Sequence, residues 1–161
     1  MISYLNAHPE RFAEAVELAL ADRPACSWRA SWLLFNCMEH NDHRLHRHIH
    51  DIIKVLPSKK DGHQRELIKI LYQMDVDEAL EGQLLDHCFR LWEKMKKQAS
   101  VRISALKMIL KIAGKYKELL PEVQLLTQPY YTETLSPGIR RSVQRMMQNT
   151  NIETDPGKIL S

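Results

Sequence analysis

Histidines crowd one short stretch of the chain: His40, His43, His46, His48 and His50 are five of its eight. On a helix His46 and His50 stand one turn apart, with His43 three residues earlier. His43, His46 and His50 therefore share a flank, and three imidazoles so placed could hold Zn²⁺ or Ni²⁺. No HExxH pattern, cysteine pair or acidic residue at helical spacing completes that set. Solvated histidines that gain charge below pH ~6.5 are the simpler expectation.

A second set is cationic. Lys107, Lys111 and Lys115 recur every four residues, and Arg102, Arg141 and Arg145 lie nearby in sequence. Together they form a candidate binding surface for phosphates, whose affinity would fall steeply with salt. Trp28 and Trp32 lie one turn apart beside Arg29. They are expected as core tryptophans, the alternative being a pair of stacking rings for a base. Ser100, Ser104 and Ser142 lack a His/Asp arrangement, and Cys37 and Cys88 sit in apolar context, where a thiol pKa rises. With no Gly-rich phosphate loop either, no catalytic residue and no cofactor is expected.

The chain has 161 residues, 44% hydrophobic and 27% charged, a balance that supports a buried core and argues against disorder. Its net charge of +3 is unevenly spread: residues 1–89 sum to −4 and residues 90–145 to +8. A basic second half could draw an acidic partner or a phosphate backbone, though many solvated helix faces are basic for solubility alone. No apolar run approaches the roughly 18 residues that span a bilayer. Glu10, Arg11, Glu14 and Glu17 interrupt any leader-like stretch, and Cys26, Cys37 and Cys88 form no CxxC pair. A cytoplasmic protein with buried, reduced thiols is expected.

Eight helices would position these residues. The first spans about 9–21 and the second about 25–39, which is apolar almost all round and so expected at the centre. The third, capped by Asn41 or Asp42, carries the stripe Leu45, Ile49, Ile52 and Leu56. The fourth spans about 63–74, the fifth 78–96 and the sixth 100–113, with two dry faces, Val101, Ala105, Met108 and Ile112 on one and Ile103, Leu106 and Leu110 on the other, around the lysine stripe. The seventh spans about 117–131, disturbed by Pro121 and Pro129, and a polar eighth begins at Ser136-Pro137-Gly138. Pairs 1–2, 3–4, 5–6 and 7–8 make four antiparallel hairpins.

Arg29, Arg65, Arg102 and Arg140 fall at intervals of 36, 37 and 38 residues, each opening an apolar run in the second helix of a hairpin. A helical repeat of that length predicts a solenoid. Val101-Arg102-Ile-Ser-Ala-Leu and Ile139-Arg140 resemble the start of the second helix in HEAT-type repeat proteins; Trp28-Arg29 and Gln64-Arg65 follow more loosely. The resemblance implies an all-α, right-handed αα superhelix of about four hairpins over 1–150, followed by a flexible C-terminal tail at 151–161. It also implies that the register arginines are structural, pairing with acidic residues: Asp22 before Arg29, Asp61 before Arg65 and Glu133 before Arg140, with only Glu93 near Arg102. The expected function is non-catalytic: a monomeric scaffold that binds a protein on its concave face. The alternative is nucleic-acid binding through 90–145. The DNA-glycosylase branch of HEAT-like proteins, whose groove combines aromatics, arginines and an Asp, resembles this chain in fold only.

Overall fold

The computed structural model describes backbone for residues 2–152 and side chains for 2–150. Among the described residues all regular structure is helical. The chain divides into two compact units, 1–87 and 88–161.

The first unit opens with α1 (Ile2–Ala7), a 3₁₀ turn at Pro9–Arg11, α2 (Phe12–Leu20) and α3 (Pro24–Cys37). Pro9 and Pro24 both sit in a first turn, where a fixed φ and a missing N–H do no harm. The predicted third helix divides into a 3₁₀ segment, His43–His48, and α4 (Ile49–Val55). The Asp42 carboxylate caps it by accepting from the Arg44 amide at 3.1 Å. The predicted stripe is kept through the change of helix type: Leu45, Ile49, Ile52 and Leu56 are all buried. A 3₁₀ turn at Leu56–Ser58 leads into α5 (Asp61–Tyr72), and α6 (Glu78–Glu93) begins in this unit.

Within this unit α3 packs on α2 and α5, as expected of a central helix. It uses an unexpected face. Its buried residues are Ser27, Ala30, Ser31 and Leu34. Small side chains let neighbouring backbones approach, so the bulky Trp28, Trp32 and Leu33 are turned outward. The buried serines are satisfied locally: Ser27 Oγ donates to Ala21 O at 2.8 Å and Ser31 Oγ to Ser27 O at 2.9 Å.

In the second unit Leu91 and Trp92 at the end of α6 are buried, and α7 (Ala99–Ala113) buries Val101, Ala105, Met108 and Ile112 on one face and Leu106 and Ile109 beside it. The first dry face read from the sequence is buried throughout; of the second, Ile103, Leu106 and Leu110, only Leu106 is buried and the other two are half-buried. The predicted seventh helix is in three pieces: a 3₁₀ turn at Lys117–Leu119, α8 (Leu120–Leu125) and α9 (Pro129–Thr132). Pro121 and Pro129 act as helix starters, each in a first turn. A proline ring clashes with the carbonyl four residues back, so one continuous helix through 129 cannot form. α10 (Pro137–Ile152) packs on α7 and buries Val143 and Met147 as a narrow stripe. The helix takes in 151 and 152, and the rest of the expected tail lies outside the described residues. No helix among the described residues is long and apolar enough to cross a membrane.

Candidate functional site

The register arginines meet three different surroundings. Arg102 is buried completely. Its Nε donates to Trp92 O at 2.8 Å, one terminal nitrogen to Thr134 Oγ1 at 3.2 Å and the other to Tyr131 O. The guanidinium also lies 4.6 Å from the centre of the Trp92 ring. Removal from water lowers the Arg102 pKa from its usual value. Arg102 is thus a structural tie made to carbonyls rather than to the expected carboxylate. It leaves the predicted binding surface, because none of it reaches solvent.

Arg65 is half-buried and pairs with its neighbour Glu66, at 2.9 Å. Arg29 and Arg140 are exposed. Asp22, a predicted partner for Arg29, instead faces Lys59 at 3.7 Å. The tie between hairpins in this unit is made at the C-terminal end of α2. His63 Nε2 donates to Ala19 O at 3.0 Å, and Lys59 Nζ to Ala21 O at 2.9 Å. Free carbonyls at a helix end need such donors, and a cation there also suits the helix dipole. Burial lowers the His63 pKa, which keeps its ring neutral.

The histidine set does not converge. His46 Nε2 bonds Asn41 Oδ1 at 2.9 Å, and His50 Nδ1 lies 3.6 Å from Asp51 Oδ1. Among the described residues no group of three or more His, Cys, Asp or Glu could hold a metal ion. The cause is helix type. The segment holding His43 and His46 is 3₁₀, with about three residues per turn, whereas His50 belongs to α4, so no common flank results.

The histidine region has a structural role. Asn41 adopts a φ of 50°, a left-handed conformation that a short amide side chain tolerates. Its amide Nδ2 donates to Asp75 Oδ2 at 2.7 Å, its Oδ1 accepts from the Asp75 amide at 3.0 Å, and its own N–H donates to Gln73 O at 2.8 Å. One turn is thereby clipped to another. Beside it, Arg44 holds Asp42 with two bonds, at 2.9 and 2.6 Å, and stands 3.8 Å over the Phe12 ring. The Arg44 bonds keep the Asp42 pKa down at about 2.

Lys107, exposed, and Lys111, half-buried, lie on α7, whereas Lys115, exposed, falls in the turn beyond its end at Ala113. Arg141 and Arg145 are exposed on the side of α10 opposite Val143 and Met147. Arg102, being buried, is not among these exposed cations.

What the residues do build is a groove of about 680 Å³ in the first unit. α2 contributes Ala15 and Leu18, α3 contributes Cys26, Trp28, Arg29, Trp32 and Leu33, and α5 contributes Arg65, Glu66 and Lys69. Trp32 is 42% exposed, and Trp28 is half-buried, its indole Nε1 out of water with no hydrogen-bond partner. Neither is a core tryptophan; both are groove walls. Cys26, expected buried, is an exposed free thiol, while Cys88 is buried and its thiol pKa is pushed far up. Glu66 at the floor is 1% exposed on its side chain, each oxygen held at 2.9 Å, one by Arg65 and one by Lys69. Lys69 also stands 4.0 Å over the Phe35 ring. The sequence carried a signal for this: an aromatic pair one turn apart on a helix whose serines, not its tryptophans, sit at the close-packing positions.

The described residues are all-α, and within each unit side-chain-to-carbonyl bonds tie one helix to another. The HEAT repeat domain model matches residues 1–150, and the chain belongs to that family. No curated protein and no solved structure matches it.

Proposed function

We propose that this HEAT repeat protein is a non-catalytic scaffold that takes a segment of another protein into the groove of its first unit. The observation that carries the reading is Trp32, a large ring left 42% exposed inside an apolar trough. Covering such a side chain is worth roughly 1.5–3 kcal/mol, and buried aromatics are the residues that dominate protein interfaces. The family supplies repeat scaffolds suited to protein interaction. We take its working form as a single chain in a reducing, cytoplasmic setting, which an exposed thiol at Cys26 suits.

A photo-cross-linking side chain at position 32, compared with one at Leu125 in the second unit, tests this. Leu125 is 56% exposed and serves as an equally accessible control. Cross-links to a protein at 32 and none at 125 are expected. Equal labelling at both positions removes the reading.

A second reading, nucleic-acid binding, draws on Lys107 and Lys111 on α7 and Lys115 just beyond its end. It requires duplex DNA to bind at low salt, to be released as salt rises, and to be lost in Lys107→Glu/Lys115→Glu. Absence of binding at low salt removes it.

A further inference from the structure

We infer that the occupant of the groove is an acidic amphipathic helix, with an apolar stripe that covers Trp32 and carboxylates that meet Arg29, Arg65 and Lys69. The inference rests on the groove being a protein-binding site and adds the chemistry of what binds there.

Shape limits the choice first. The trough is open to solvent, and Trp32 in its wall is 42% exposed. A small ligand needs roughly 70–90% of its surface enclosed, which an open trough does not supply. A helix laid along it needs to bury only one face, with anchors at i, i+3 or i+4, and i+7.

Charge decides the rest. Glu66 is the one acidic residue lining the trough, and Arg65 and Lys69 already occupy its two oxygens. Three cations line it against that single anion, a local excess of positive charge. Arg65 spends Nε and one terminal nitrogen on Glu66, which leaves its other terminal nitrogen to face a partner. Arg29 is exposed and, among the described residues, has no ion pair. Arg65 and Lys69 lie one helical turn apart on α5, the spacing at which carboxylates along a second helix can meet both.

Residues 1–89 as a whole carry −4, which opposes an acidic partner at long range. Screening settles that conflict. Exposed charges farther apart than about 8 Å are largely hidden from one another at physiological salt, so the cations in contact outweigh the distant anions. The groove thus rejects basic helices by contact and selects acidic ones by contact.

The test is a titration of the full chain with three synthetic peptides of roughly five helical turns each. One carries leucine and phenylalanine anchors at i, i+3/i+4 and i+7 with glutamates on both flanks. The second has lysine for every glutamate, and the third has alanine for every anchor. Tryptophan fluorescence reads occupancy, since Trp28 and Trp32 line the trough while Trp92 is buried. The acidic anchored peptide is expected to shift the emission and to bind more weakly as salt rises, and the other two to bind at least ten-fold more weakly. Arg29→Glu, at an exposed position where folding is not at stake, should weaken the acidic peptide about ten-fold and improve the lysine twin. Trp32→Ala should weaken the acidic peptide about thirty-fold. Equal binding by the lysine twin overturns the acidic preference while leaving the groove a peptide site. Equal binding by the alanine twin overturns the anchored mode. If no peptide binds while position 32 still cross-links a protein, this inference fails and the groove reading stands; if both fail, both are withdrawn.

Discussion

Each unit of this protein brings tryptophan and arginine together, with opposite outcomes. In the second unit Trp92 is wholly buried, its Nε1 donating to Leu126 O at 3.0 Å, and Arg102 lies against its ring with its bonds to Trp92 O, Tyr131 O and Thr134 Oγ1 made inward. In the first unit Trp28 has an unpartnered Nε1, Trp32 faces solvent, and Arg29 is exposed. The residue types match and Arg29 and Arg102 share a register. Partners make the difference. Carbonyls of Trp92 and Tyr131 converge on Arg102, so a buried guanidinium is compensated there. At Arg29 no acceptor is offered, and the side chain stays in water. A saturated polar pair stabilises a fold, and an unsaturated one is left available to a partner.

The contrast is most exposed to test at Arg102. Arg102→Ala strands the carbonyls of Trp92 and Tyr131 and empties a packed position, and should destabilise the protein by about 3–5 kcal/mol in urea unfolding. Arg102→Lys should recover little, because an ammonium cannot reproduce the planar fork. A loss under about 1 kcal/mol for Arg102→Ala would mean the tie is ornamental.

Acid should separate the units next. Asp42, in the first unit, has a folded pKa of about 2 against an ordinary value of 3.8. Its stabilisation is complete above the unfolded pKa and is lost as pH falls from about 4 to about 2, a contribution of about 2 kcal/mol. His63 acts in the same direction at higher pH. Its folded pKa is depressed by burial, so its contribution is present above ~6.5 and declines as pH falls below that. Unfolding followed between pH 8 and 2 should show both losses, with the lower one absent in Asp42→Asn.

The tryptophans give a smaller effect. Trp92→Phe removes the bond to Leu126 O and part of a packed ring, and should destabilise by about 2 kcal/mol. Trp32→Phe should change stability by less than about 0.5 kcal/mol and remove most of the emission that an aqueous quencher reaches. Smallest of all, Arg29→Ala and Arg140→Ala should each stay within about 0.5 kcal/mol in thermal unfolding. A larger loss at either would mean that the register arginines act alike after all.

Much of the architecture was legible because periodicity reports it directly. The stripes Leu45–Ile49–Ile52–Leu56 and Val101–Ala105–Met108–Ile112 were expected in the core and are buried there. Ser136-Pro137-Gly138 marked a helix start, and the same physics explains why 121 and 129 divide the helix expected over 117–131. The site was less legible. Hydrophobicity placed Trp28 and Trp32 inside, but α3 packs through Ser27, Ala30 and Ser31, whose hydroxyls are satisfied by backbone carbonyls of α2 and α3. The histidine spacing assumed an α-helix and met a 3₁₀ one.

Residue order alone determined the helices, their breaks, the recurring arginine and the family to which those features belong, since each depends on neighbours within a few turns of chain. Which arginine is sealed in and which is left open was decided only by tertiary structure. That outcome depends on carbonyls and rings brought from 10 to 32 residues away, as Trp92, Tyr131 and Thr134 are brought to Arg102. Local pattern holds no record of them, because the free energy of a buried charge is set by the acceptors around it.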